Sequence, residues 1–159
     1  MTGLIRRLLR IGKLPDDMRA QVQTEGVLHL EECIAAVVCF TGQVPGRRSV
    51  GLTRGYGGAL ALTNQRVLGT VSALPGKSGR AVDHPWQGPQ ASAVVGTLSE
   101  SGLVLEIADL SAVDQAFNGT FSLTYKSEIA PDVLSRLPTR SIAFNVPPEF
   151  VYRALGIPR

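Results

Sequence analysis

Residues 58–71 read GALALTNQRVLGTV, two runs of apolar and β-branched residues on either side of Asn64-Gln65. Two such runs separated by two residues predict an antiparallel hairpin. Asparagine tolerates the positive φ angle that the tightest hairpin turns require. We therefore expect two adjacent strands that are joined by a turn at Asn64-Gln65.

Further segments rich in strand-forming residues lie on both sides of this hairpin. We expect extended chain over residues 27–41 (one long bent strand or two short ones), 91–98, 103–107, 120–126 after a turn at Asn118-Gly119, and 142–146. Their number and spacing predict a mainly β (α+β) fold, a small barrel or sandwich of six to seven antiparallel strands.

Loops and short helices are expected between and after these strands. Residues 42–55 and 75–90 hold the glycines and prolines that are typical of loops. Residues 131–137 and 147–155 each begin with proline, which is favourable at the first position of a helix. The second of these segments predicts a C-terminal helix.

The N-terminal residues 1–13 predict an amphipathic helix. Its apolar arc includes Leu4, Ile5, Leu8 and Leu9, and its basic arc includes Arg6, Arg7 and Arg10. Pro15 interrupts the pattern, and Asp16-Asp17 begin a second helical stretch to about Gln23. We therefore divide the chain into an N-terminal helical segment, residues 1–24, and a β domain with a C-terminal helical tail, residues 25–159.

The composition is that of one ordinary globular domain. Apolar residues make up 44% of the 159 residues and charged residues 18%, with a net charge of +3. Residues 1–20 hold five cations and two acids, and the remainder is neutral in sum. Between Cys33 and Val82, however, there are six cations and no acid. No apolar run approaches the roughly 20 residues of a transmembrane helix, so we expect a cytoplasmic protein, with peripheral membrane binding as an option.

The central hairpin also resembles a known superfamily. Residues 58–68, GALALTNQRVL, are similar to the hairpin of bacterial PH-like and GRAM-like domains, and residues 119–126 leading into 131–137 resemble their late strand-to-helix passage. The resemblance covers about residues 25–137 and implies a PH-like barrel. The tail from Ile142 to Leu155 has no counterpart in the usual plan of that superfamily.

Catalytic and metal-binding patterns are weak in this sequence. Gly76-Lys77-Ser78 is not a phosphate-binding P-loop, because Val71 stands where the first glycine is required. His29 and His84 are the only histidines, and neither has a second histidine at ligand spacing. We therefore expect no enzyme, no metal and no cofactor.

Cations are concentrated in the two predicted loops before and after the central hairpin. Alternate connections of an antiparallel meander lie at the same end of the sheet, so these loops are expected to meet opposite Asn64-Gln65. The expected anion or lipid contacts are Arg47, Arg48, Arg54, Lys77 and Arg80. Arginine matches phosphate oxygens through its planar fork. The resemblance implies the same region, since PH domains bind anionic lipid head groups at such loops.

The expected function is a non-enzymatic PH-like binding module that docks on an anionic membrane surface or on a protein partner. The helix over residues 1–13 serves as an accessory anchor in this hypothesis. The alternative is a structural protein–protein interaction domain that forms homo-oligomers through the same helix. Nucleic acid is not expected, because few aromatic residues are interleaved with the cations.

Overall fold

The computed structural model describes residues 11–74, 77–88 and 91–157. Within these residues the chain forms eight strands, three short helices and one 3-10 turn. The helices are α1 (Asp16–Glu25), α2 (Pro131–Arg136) and α3 (Pro148–Ala154), and the 3-10 turn is Leu110–Ala112. The strands are β1 (Val27–Val44), β2 (Arg47–Thr63), β3 (Arg66–Leu74), β4 (Lys77–Pro85), β5 (Val94–Ser99), β6 (Gly102–Ile107), β7 (Asn118–Lys126) and β8 (Ser141–Phe144). The predicted mainly β fold is confirmed.

All the strands belong to one antiparallel sheet of order β4-β3-β2-β1-β7-β6-β5-β8. The sheet curls until its two outer strands approach each other. His84 of β4 stacks on Phe144 of β8, with ring centroids 5.4 Å apart and an interplanar angle of 24°. The result is a nearly closed barrel whose seam is closed by side chains. Trp86, directly after β4, is buried near this seam and donates its indole N–H to the carbonyl oxygen of Thr63 at 2.8 Å.

The second half of β2 is buried on both faces. Leu60 and Leu62 point into the barrel core, whereas Ala59 and Ala61 lie on the outer face. There α1 covers them with Val22, and the small alanines leave room for the helix to approach. Burying Val22 contributes about 1.5–3 kcal/mol. The alternation of leucine and alanine in the sequence therefore reflects two different packing partners.

The hairpin at Asn64-Gln65 is confirmed, but its predicted backbone geometry is wrong. β2 ends at Thr63 and β3 begins at Arg66, so Asn64 and Gln65 connect them as predicted, and the last pair between the strands is Leu62 with Val67. The difference from the prediction lies in φ, because the tightest two-residue turns require a positive φ. Among the described non-glycine residues, only Cys33 has a positive φ, at 58°.

For residues 27–41 the sequence predicted either one long bent strand or two short ones. The first alternative is confirmed, since these residues belong to the single strand β1. Its pairing with β2 is shifted at three places, and these irregularities bend it. β1 and β2 continue together as far as the pair Val44–Arg47. The predicted loop over residues 42–55 is therefore wrong. The alternation of residues was hidden by a bulge near Gly51, whose φ is 66°, because a bulge reverses which face the side chains point to.

The predicted loop over residues 75–90 also contains a strand, β4, which brings the strand number to eight rather than six or seven. Among the described strands, β4 pairs only with β3. An outer strand of this kind tolerates glycine and a terminal proline, here Gly79 and Pro85. Glycine and proline in this segment therefore marked a sheet edge, not a loop.

Asn118-Gly119 is not a turn, in contrast to the prediction. Both residues belong to β7 and pair with Gln43 and Gly42 of β1. A side chain at Gly119 would collide with the backbone of Thr41 and Gly42, so glycine is required by the close approach of the two strands.

The other predicted elements are confirmed within a few residues of their bounds: α1, β5, β6, β7, β8, α2 and α3. The amphipathic helix predicted over residues 1–13 falls mainly on residues 1–10, which lie outside the described part. Residues 11–13 are not helical, because Gly12 has a φ of 89° and its carbonyl oxygen accepts a hydrogen bond from the Cys33 N–H. Ile11 and Leu14 are buried against the domain.

Candidate functional site

The long hairpin of β1 and β2 extends beyond the strand next to it. β3 pairs with β2 only from Gly57 onward, whereas β2 continues on β1 back to Arg47. We call residues 36–56, where β1 and β2 run together beyond β3, the basic arm. The arm contains three arginines and no aspartate, glutamate, lysine or histidine. It therefore carries a local charge of +3 on a protein whose whole charge is also +3.

Arg47 and Arg48 lie at the tip of the basic arm, opposite Val44 and Gln43. Arg48 is exposed and Arg47 is half-buried. Neither guanidinium makes an ion pair or a side-chain hydrogen bond with any residue that the structure describes. These two cations are therefore available to an external anion.

Arg54 has a different environment, although it belongs to the same arm. Its Nη1 donates a hydrogen bond to the carbonyl oxygen of Leu155 at 3.3 Å, and its guanidinium lies 5.8 Å from the ring centre of Tyr56. Tyr56 in turn donates its hydroxyl to the carbonyl oxygen of Ala154 at 2.7 Å. Both side chains thus bind the C-terminal end of α3, where carbonyl groups lack helical partners and favour cations.

Arg80 is on β4 and is directed toward α1. It forms an ion pair with Asp83 at 3.2 Å and donates from Nη2 to the side-chain oxygen of Gln21 at 3.4 Å. Lys77 begins β4, and its side chain lies outside the described part of the chain. The five predicted cations thus do not form one bonded cluster: Arg47 and Arg48 lie together at the arm tip, and Arg54 and Arg80 are bound elsewhere.

A charged network that the sequence did not suggest fixes the end of α1 on the central hairpin. Arg66 donates from Nε to Glu25 at 2.8 Å and from Nη1 to Asp83 at 2.9 Å. The hydrogen bond that Arg66 donates to Asp83 is the main reason that the pKa of Arg66 is raised. The partners are 41 and 17 residues apart in the chain, so no local pattern could have revealed them.

A second unpredicted cluster joins β1 to the end of β7. His29 Nε2 lies 2.7 Å from the hydroxyl of Ser127, and that hydroxyl donates to Glu31 at 2.6 Å. Burial lowers the pKa of His29, and the charge of Glu31 opposes this only in part. These three hydrogen-bonded side chains join β1 to the residue after β7 at the place where the two strands separate, since the β1–β7 pairing ends at Ala36 and Tyr125.

The order of these three groups differs from that of a hydrolase triad. In a triad the histidine lies between serine and acid, so that it can take the serine proton. Here Ser127 is central, and it is only 4% exposed, so it is largely shielded from solvent. The cluster has the geometry of a structural hydrogen-bond chain.

His84, the other histidine, is buried in the seam of the barrel. Its Nε2 has no hydrogen-bond partner among the described residues, and its ring packs on Phe144. Within residues 11–74, 77–88 and 91–157, no three His, Cys, Asp or Glu side chains are close enough to hold a metal ion.

One cleft lies between α3 and the barrel, where the basic arm leaves β3. It encloses about 320 Å³ including its open mouth, and its walls are mainly apolar. Tyr56 and Phe150 form part of the wall, and Arg80 and Arg153 also line it. The guanidinium of Arg153 has no ion pair with any residue in the described part of the chain.

Comparison with family models, with curated proteins and with solved structures found no match to this chain. In the ranges that the structure describes, none of the helices has the length and apolar character needed to cross a membrane.

Proposed function

We propose that this protein is a non-enzymatic, PH-like binding module that docks on an anionic membrane surface or protein partner through its basic arm. The observation that carries the proposal is the pair Arg47 and Arg48, two cations with no ion-pair partner among the described residues, at the tip of an arm that contains no acid. The resemblance of residues 58–68 to PH-like hairpins and the nearly closed antiparallel barrel, with α3 packed into its core through Val151 and Ala154, support the PH-like assignment.

The strength of such docking can be bounded by general electrostatics. Each arginine near an anionic surface contributes about 1 kcal/mol, so Arg47 and Arg48 together contribute about 2 kcal/mol. The attraction acts over about one Debye length, roughly 10 Å at 0.1 M salt. We therefore expect weak and salt-sensitive binding, with cations outside the arm adding to it.

The test measures co-sedimentation of the full chain with vesicles that contain about 30% phosphatidylserine, and binding to soluble polyglutamate, at low and high salt. The arm variant is Arg47→Glu with Arg48→Glu. The matched control is Arg136→Glu with Arg140→Glu, which changes the net charge equally at two exposed arginines of α2 and the segment before β8. We expect the arm variant to lose binding and the control to keep most of it. Equal loss in both variants, or no binding by the unmutated protein to either probe, would overturn the proposal.

The alternative function, oligomerisation through the N-terminal helix, remains a prediction, because residues 1–10 lie outside the described part. Its test is removal of residues 1–10 alone, since Ile11 and Leu14 are buried in the domain and must be kept. A fall in the mass measured by light scattering would support the alternative. A monomer before and after removal would exclude it.

A further inference from the structure

One edge of the basic arm has no partner strand within the described residues. β2 is bonded on both sides from Gly57 to Leu62, by β1 and by β3. From Arg47 to Tyr56 it is bonded only by β1. The other side of this segment is therefore a sheet edge with unpaired backbone N–H and C=O groups.

The register identifies the groups that face this edge. The N–H of Ala59 donates to the hydroxyl of Thr70 on β3, so the backbone of Ala59 is directed to the β3 side. The β1–β2 pairing has no shift between the pairs Ile34–Gly58 and Phe40–Leu52. Because backbone direction alternates along an antiparallel strand, Thr53 and Gly55 face the same side as Ala59, where β3 no longer runs.

The face of the sheet at these residues is open among the residues that the structure describes. A Cβ atom added at Gly55 or at Gly51 would meet none of their atoms within 4 Å. The regular part of the edge, from Leu52 to Tyr56, ends at the bulge near Gly51. A partner strand can thus form up to about four backbone hydrogen bonds, two at Thr53 and two at Gly55.

We propose that this edge binds an extended acidic peptide of a partner protein, which adds to the sheet as a strand beside β2. This inference rests on the proposed function, because it names the partner that the basic arm would bind. Backbone hydrogen bonds supply affinity in such strand addition, and side chains supply specificity. Arg47 and Arg48 lie just beyond one end of the regular edge, and no acid lies within the arm, so acidic residues of the peptide meet complementary charge.

A second copy of this chain fits the edge less well. Pairing two copies would bring together two arms that each carry three arginines and no acid. Like charges across neighbouring strands are destabilising. The same arginines that favour an acidic peptide therefore disfavour self-association at this edge.

The test measures fluorescence anisotropy of a labelled peptide of alternating glutamate and valine on the full-length protein. A peptide of alternating glutamate and proline serves as the probe control, since it has the same charge but fewer backbone donors. The edge variant is Thr53→Pro, which removes one outward N–H, and Thr53→Ala is its matched control. We expect Thr53→Pro to raise the Kd of the glutamate–valine peptide about five- to tenfold, which is the effect of losing one backbone hydrogen bond. Thr53→Ala should leave this Kd nearly unchanged.

The outcomes separate the two proposals. If Thr53→Pro binds the peptide as tightly as Thr53→Ala while Arg47→Glu with Arg48→Glu abolishes binding, the proposed function stands and strand addition is wrong. If binding is limited to anionic vesicles, the partner is a membrane and strand addition is also wrong. If neither probe binds the unmutated protein, both proposals fall.

A second measurement needs no substitution and covers the case that Thr53→Pro fails to fold. Amide hydrogen exchange of the unmutated protein is followed with and without the glutamate–valine peptide. We expect the amides of Thr53 and Gly55 to become protected, and that of Leu52, which faces β1, to change little. Binding of the peptide without protection at Thr53 and Gly55 would contradict strand addition.

Discussion

At the scale of single residues, Thr63 illustrates how one hydroxyl can define a turn. Its Oγ1 accepts hydrogen bonds from the N–H groups of Gln65 and Arg66, at 3.1 and 3.0 Å. The same hydroxyl donates to the carboxylate of Glu25 at 2.9 Å. Thr63 is fully buried, so the turn geometry depends on a side chain that solvent cannot replace. This local bonding explains why the hairpin forms without a positive φ at Asn64.

Replacing Thr63 by valine keeps the shape of the side chain and removes the hydroxyl. We expect Thr63→Val to lower the free energy of unfolding by about 1–3 kcal/mol. The N–H groups of Gln65 and Arg66 and the carboxylate of Glu25 would each lose their hydrogen bond to the Thr63 hydroxyl. Thr63→Ser keeps the hydroxyl and should retain most of the stability. Urea unfolding followed by the fluorescence of Trp86 measures both. Equal stability of the valine and serine variants would show that the hydroxyl is not what holds the turn.

At the scale of elements, α1 is held on the sheet at both ends by charged groups. Glu25 at its C-terminal end binds Arg66 of β3. Near its other end, Arg19 donates from Nη2 to Glu32 of β1 at 2.8 Å, and the N–H of Leu14 donates to the same oxygen at 3.0 Å. Burial raises the pKa of Glu32, but the bonds from Arg19 and Leu14 outweigh this, so its pKa is lowered overall.

This lowered pKa predicts how stability depends on pH. The folded state binds the proton of Glu32 more weakly than the unfolded state, so the stabilisation is fully present above the ordinary carboxyl pKa and is lost as the pH falls through the folded pKa. We expect the free energy of unfolding to decrease between about pH 5 and pH 3, and Glu32→Gln to make this decrease shallower. Glu106→Gln, at an exposed position of β6, is the control and should follow the unmutated protein. Identical slopes for both variants would contradict the role of Glu32.

Much of the element order could be predicted from the sequence, because patterns that reflect local burial are visible in it. The alternating leucines of β2 and the prolines at the starts of α2 and α3 are such patterns. β4 and the outer half of β2 could not be recognised, since each lies at a sheet edge where glycine and arginine are tolerated. Edge strands bury little, so burial leaves only a weak pattern in their sequence.

At the scale of the whole molecule, the charge pattern was predicted but its geometry was not. The run without acids from Cys33 to Val82 is visible in the sequence, and it includes the basic arm. The positions of Arg54 and Arg80 depend on α3, α1 and Asp83, whose contacts are set by the tertiary fold. Only Arg47 and Arg48 remain as free cations among the predicted site residues whose side chains are described.

The barrel as a whole depends on its seam, where β4 and β8 meet without a hydrogen-bonded ladder. Phe144 is 9% exposed and packs on His84, so Phe144→Ala removes a ring contact that joins the two outer strands. We expect a loss of about 3 kcal/mol in the free energy of unfolding, as for other buried aromatic residues. Val95→Ala, at a partly exposed position of neighbouring β5, is the control and should change stability by less than about 0.5 kcal/mol.

Hydrogen exchange of the same variants shows whether the seam couples the two ends of the sheet. If the barrel unfolds as one unit, Phe144→Ala accelerates exchange at Val82 and His84 of β4 as well as in β8, although β4 and β8 are at opposite ends of the strand order. Acceleration confined to β8 and α3 would mean that the sheet is an open one whose edges are independent. Joint acceleration is expected, because the ring contact between His84 and Phe144 is the link between the two outer strands.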